Sequence, residues 1–132
     1  MARPTAVRTE AAPAPFQGAP YSQAIKSGDL VFVSGQLGLD PATGKLVEGG
    51  VEAEARQVVA NLGGVLGDVG AAKTDVAKAT VFVADLADFG AINAIYADFF
   101  GDHRPARSTV QVAALPLGGR VEIEVWVHLP ER

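Results

Sequence analysis

Cysteine is absent from this 132-residue chain, which excludes disulfides, thiolate nucleophiles and any zinc site built on sulfur. Histidine is nearly absent: His103 and His128 stand far apart, so a multi-histidine metal site within one chain is not expected. The apolar runs are only a few residues long, well short of the ~20 that a membrane-spanning helix needs. Positive charge is in deficit. With 11 Lys and Arg against 15 Asp and Glu the formal charge is −4, so a broad basic surface for nucleic-acid phosphates is not expected.

What remains, 48% hydrophobic and 20% charged, is the composition of one globular domain. Pro4, Pro13 and Pro15, with Arg3, Arg8 and Glu10, interrupt any apolar run of the ~7–15 residues that a secretory signal contains. Two arginines among few acids are a faint transit-peptide signal. The plainer reading is a partly ordered arm over residues 1–15, with a short edge strand at 6–9, before a single domain at 16–132. A cytoplasmic location is the expectation.

Residues 21–26 and 30–34 read as strands flanking the turn Ser27-Gly28-Asp29, and Asp40-Pro41-Ala42-Thr43-Gly44 and Gly49-Gly50 mark further turns. The chain therefore opens as a β-meander. Val51, Ala55, Val58, Val59, Leu62, Val65, Leu66 and Val69 then recur at helical spacing and form one apolar stripe. Glu52 and Glu54 suit the positive end of that helix, and Gly70 suits its stop. Gly63-Gly64 costs helix propensity, about 1 kcal/mol each, and suggests close backbone packing.

Residues 76–84 read as a strand, and Asp85 or Asp88 as the cap of a second helix with Phe89, Ile92, Tyr96 and Phe99 inward. Residues 106–113 and 120–128 are two more strands, joined through Leu115-Pro116-Leu117-Gly118-Gly119 in a hairpin-type connection. The order predicts an α+β sandwich with two helices on one face of a mixed sheet. Strands 31–34 and 80–84 are apolar or small on both sides of their alternation, so the second face is expected to be covered as well. Two helices cannot cover both faces, but another subunit can.

Three segments carry chemistry: Ala19-Pro20-Tyr21-Ser22-Gln23, Val33-Ser34-Gly35-Gln36, and Pro105-Ala106-Arg107-Ser108-Thr109-Val110 running on to Val121-Glu122-Ile123-Glu124. In that order, with Val59-Ala60-Asn61-Leu62, Lys78-Ala79-Thr80-Val81-Phe82-Val83 and the stretch from Phe89 to Tyr96, they resemble the RidA (YjgF) family over roughly residues 10–127. The resemblance implies a chorismate-mutase-like fold and a homotrimer with active sites in clefts between subunits. It also implies hydrolysis of 2-aminoacrylate, 2-iminobutanoate and related enamines or imines to 2-keto acids and ammonia, as a 2-iminobutanoate/2-iminopropanoate deaminase. No metal or cofactor is implied, and the partners are small imino and keto acids and further copies of the chain, without nucleic acid or membrane.

Carried over by motif, Arg107 grips the substrate carboxylate, its planar fork matching two oxygens at once. From residue type alone, an ion pair with Glu122 or Glu124 across the hairpin is the plainer reading. Glu122 takes the family's water-handling position. An imine carbon is already electrophilic, so a held substrate and a base within reach of water suffice. Alternation puts Glu122, Glu124 and Trp126 on one face, so spacing does not separate the glutamates and only the resemblance selects Glu122. Tyr21, Ser34, Gly35, Asn93 and Thr109 match pocket positions, and the Gly35 amide is placed to share the carboxylate. Their plainer readings are core packing for Tyr21, a strand-end turn for Ser34-Gly35 and a solvated helix position for Asn93.

The chain departs from the family in several places. Ala19 replaces a frequent glycine, Thr109 stands where a cysteine is common, the stretch before Pro105 is short, and Trp126 is bulky for its place. Arg104 adds a second positive charge near the expected cleft mouth, with a solvated loop arginine as the plainer meaning. These departures bear on substrate preference. The alternatives are a trimer that binds small carboxylates without turnover and, less favoured by the acidic charge, an RNA-directed activity.

Overall fold

The computed structural model describes residues 3–130. Eight regular elements follow one another: β1 (Thr5–Val7), β2 (Ala24–Ser27), β3 (Leu30–Leu37), α1 (Gly50–Asp68), β4 (Val76–Val83), α2 (Phe89–Phe100), β5 (Ala106–Gln111) and β6 (Val121–His128). They build a six-stranded mixed sheet in the order β1-β2-β3-β6-β4-β5. Both helices pack on one side of it, around a core drawn from α1, α2 and alternate residues of the inner strands. This is the α+β arrangement expected. No helix among the described residues is long and apolar enough to cross a membrane.

The opening meander forms as its turns predict. Ser27 pairs with Leu30 across Gly28, whose φ of 60° is the left-handed conformation that glycine adopts without strain. Ahead of it, Thr5–Val7 pairs with β2, so the arm contributes the edge strand of the sheet, slightly earlier than the 6–9 expected. The close packing suggested by Gly63-Gly64 is real at Gly64, where any Cβ would overlap the backbone carbonyl of Ala11 as the arm crosses α1.

Two features of α1 exceed what its apolar stripe foretells. Asn61, fully buried, donates from Nδ2 to the carbonyls of Leu37 (3.1 Å) and Leu39 (2.9 Å), tying down the chain as it leaves β3. Glu54, expected only to suit the positive end of the helix, is 3% exposed and accepts from the Arg120 amide at 2.7 Å. It anchors the entry to β6. At the start of the second helix it is Asp85 whose side chain accepts a backbone N–H, from Ala87, while Phe100 is buried in α2 and Phe99 only partly so.

One expectation fails. The strands flanking residues 115–119 do not form a hairpin. β5 pairs in parallel with β4, and β6 lies on the other side of β4, between β4 and β3. Parallel pairing requires a long crossover, and α2 supplies it between β4 and β5. The better hydrophobic alternation belongs to β6, whose Val121, Ile123, Val125 and Val127 are at most 1% exposed, and that strand takes the central position. β5, largely exposed, is left at the edge.

Candidate active site

Pairing register decides where the two principal side chains point. On β6, Glu122 is opposite Phe82 and shares the outer face of the sheet with Glu124 and Trp126. On β5, Arg107 is opposite Ala79, a fully buried residue of the face on which the helices pack. In one chain Arg107 and Glu122 therefore lie on opposite faces, with β4 between their strands and about 9–10 Å between strand axes. The cross-hairpin ion pair considered from sequence does not exist.

Glu122 sits in a cleft of about 310 Å³ whose lining includes Tyr21, Ser34, Gly35, Phe16, Pro116 and Glu124. Gly35 falls at a register break in β3 between Val33 and Gln36, and a Cβ there would overlap the Glu122 carboxylate. A side chain at position 35 would therefore push the Glu122 carboxylate out of its place. Ser34 donates from Oγ to the Ser22 carbonyl at 2.6 Å, joining the strand end to the Tyr21 segment. Tyr21 is 39% exposed, so it is not a core residue, and its ring leans on Phe16 at a centroid distance of 6.1 Å. Burial, and secondarily the neighbouring charge of Glu124, raises the Glu122 pKa above the ordinary glutamate value. Raising the pKa makes the carboxylate a stronger base.

Arg107 lines a second cleft, of about 340 Å³, with Asn93, Tyr96, Ala97, Arg104 and Pro105. Its Nη1 donates to Asn93 Oδ1 at 2.8 Å, and the guanidinium lies 4.8 Å from the Tyr96 ring centroid and 5.5 Å from that of Phe89. Phe89, Asn93 and Tyr96 follow at steps of four and three along α2, so one face of the helix supplies both the aromatic platform and the amide clamp. That spacing was available in the sequence, where Phe89 and Tyr96 read only as core. Burial raises the Tyr96 pKa, and the charges of Arg107 and Arg104 oppose the shift.

The predicted site residues therefore fall into two groups. Tyr21, Ser34, Gly35 and Glu122 share one cleft, while Asn93 and Arg107 share the other. Thr109 lies two residues beyond Arg107 on the same face and lines neither; its Oγ1, like Tyr96 Oη, is buried without a hydrogen-bond partner among the described residues.

Comparison with known proteins agrees with this architecture. Residues 9–129 match the family described as "Endoribonuclease L-PSP". The chain belongs to that family, and within it to the RidA group. A goat protein named 2-iminobutanoate/2-iminopropanoate deaminase is 52% identical over 113 residues, 86% of this chain and 82% of the goat protein. Reactive Intermediate Deaminase A, chloroplastic, from Arabidopsis thaliana is 54% identical over 118 residues, 89% of this chain and 62% of the plant protein. Among solved structures, RidA from an Antarctic Psychrobacter superposes with a TM-score of 0.90 at 42% identity, covering 95% of this chain and 99% of the other.

Proposed function

We propose that this protein is a 2-iminobutanoate/2-iminopropanoate deaminase, hydrolysing small reactive imines and enamines such as 2-aminoacrylate to 2-keto acids and ammonia in the cytoplasm. The observation that carries the reading is the state of Arg107: clamped by Asn93, laid over Tyr96, and paired with no carboxylate among the described residues. A guanidinium so held is a preformed receptor for a substrate carboxylate.

The site is assembled from two copies of the chain. Arg107 and Asn93 of one copy meet Glu122, Tyr21, Ser34 and Gly35 of its neighbour, in a homotrimer whose outer sheet faces pack together, while Thr109 stays outside both clefts. Two observations support this. Arg107 and Glu122 diverge within one chain, and the outer face exposes Phe32 (37%), Leu30 (43%), Val110 (43%) and Trp126 (52%). Phe32 and Trp126 already meet edge to face at 5.5 Å and form the centre of an apolar surface of the kind that marks an interface.

The reaction needs only positioning and one base. Water adds to the imine carbon while the Glu122 carboxylate accepts one of its protons. Glu122 returns that proton to the nitrogen, giving the carbinolamine; the C–N bond then breaks as the hydroxyl proton passes to the amino nitrogen, and keto acid and ammonia leave. The Gly35 amide and the Ser34 hydroxyl oxygen border the place where the water is held. The formal charge of −4 favours a small-acid substrate over RNA, despite the ribonuclease term in the family's description.

The test is release of keto acid from freshly generated 2-iminobutanoate with semicarbazide competing for the imine. Wild type restores release and Arg107→Ala, shown folded by circular dichroism, does not. A folded wild type that gives no release while binding 2-oxobutanoate would replace catalysis by simple carboxylate binding.

A further inference from the structure

Arg104 and Arg107 are the only charged residues lining the 340 Å³ cleft, the rest being Asn93, Tyr96, Ala97 and Pro105. Neither guanidinium is ion-paired among the described residues, whereas Arg56 is paired with Glu52 and Arg120 with Glu54. Within one chain the cleft has no counter-charge, and the carboxylate that the neighbouring copy brings to Arg107 leaves at least one of the two cations open to an anion.

Arg104 is also held in place. Its Nη1 donates to the carbonyls of Gly101 and, at 3.1 Å, His103, which engages one nitrogen and leaves Nη2 and Nε without partners among the described residues. Pro105 restricts the Arg104 backbone to extended conformations, so loop and strand present the two arginines from fixed positions three residues apart. The charges of both arginines act on the Tyr96 phenol that lies in the same lining. At this size the cleft is within the range of about 300–1,000 Å³ usual for small-ligand sites.

We infer that the cleft is a two-cation site, in which Arg107 takes the carboxylate next to the imine and Arg104 takes a second carboxylate at the far end of the substrate. The inference rests on the deaminase reading for the role of Arg107 and extends it to a substrate class, 2-imino dicarboxylates such as 2-iminoglutarate. A monocarboxylate neutralises one guanidinium and leaves the other uncompensated; a dicarboxylate neutralises both with charge-assisted hydrogen bonds. Arg104 is thereby a specificity residue, acting on the end of the substrate remote from the reacting carbon.

Calorimetry with the stable keto acids 2-oxoglutarate and 2-oxobutanoate reads the site without turnover. Wild type binds 2-oxoglutarate the more tightly. In Arg104→Gln that preference falls about tenfold or more, as loss of a hydrogen-bonded charge pair implies, and Arg104→Lys retains part of it. Equal affinity of wild type for the two acids, or a preference that survives in Arg104→Gln, overturns the inference. Imine turnover is measured on the same preparations. A dicarboxylate preference in a protein that hydrolyses no imine would support the two-cation site and overturn the deaminase reading, so the two fail separately.

Discussion

The two clefts differ in nearly every physical respect. Around Glu122 the walls are a central strand and the end of its neighbour; the acid is half-buried, set against a glycine whose place a side chain takes only by moving the carboxylate, and pushed toward higher pKa by burial. Around Arg107 the wall is the exposed edge of the sheet; the cation lies over an aromatic platform and is steered by one amide. One region raises the basicity of a carboxylate, the other holds a cation in place. Each lacks what the other has, and the register of β4 with its two neighbours keeps them on opposite faces of a single chain. On the proposed reading, this division of labour requires two copies to meet.

The largest expected effect lies on the basic side. Glu122→Gln preserves shape and removes proton transfer, so kcat falls about 10²–10⁴-fold while KM changes little; steady-state kinetics on 2-iminobutanoate read this directly. Gly35→Ala gives a related loss by displacing the same carboxylate, with the fold retained by circular dichroism. On the holding side, Arg107→Ala removes the substrate's ionic partner at a cost of about 2–5 kcal/mol, visible in kcat/KM and in keto-acid affinity. Tyr96→Leu keeps an apolar core residue but loses the ring under Arg107, weakening keto-acid binding by about 0.5–2 kcal/mol.

The smallest effect is in pH dependence. As the proposed base, Glu122 acts only when ionised, so kcat/KM is expected to fall as pH drops through its raised pKa. Glu124→Gln removes the like charge, the lesser cause of that rise, and moves the acid limb to lower pH without abolishing it. A limb that moves to higher pH would show that Glu124 helps Glu122 to ionise and would reverse this assignment.

The parts legible in the sequence are those governed by local periodicity. The stripe from Val51 to Val69 marked α1, and the lack of alternation in β3 matches an outer face that exposes Leu30 and Phe32. Strand neighbours were not legible in the same way. The Pro-Gly-rich link at 115–119 looks like a hairpin turn, yet the chain crosses β4 there and inserts β6 into the middle of the sheet. Alternation placed Glu122 and Glu124 on one face correctly, but it is Gly35, close in space and remote in sequence, that accommodates Glu122. Glu54 carried no local signal of its burial, because its partner, the Arg120 amide, is 66 residues away.

The claim that one site needs two copies is tested by mixing two inactive proteins. Arg107→Ala supplies an intact Glu122 cleft, and Glu122→Gln an intact Arg107 cleft. Co-refolded in equal amounts as trimers, they place both native halves together at about one site in four, by random assortment around a ring of heterologous interfaces. The predicted result is recovery of about a quarter of wild-type deaminase activity. Activity no greater than that of the two variants assayed separately, in trimers shown to be mixed, would contradict a site shared between subunits.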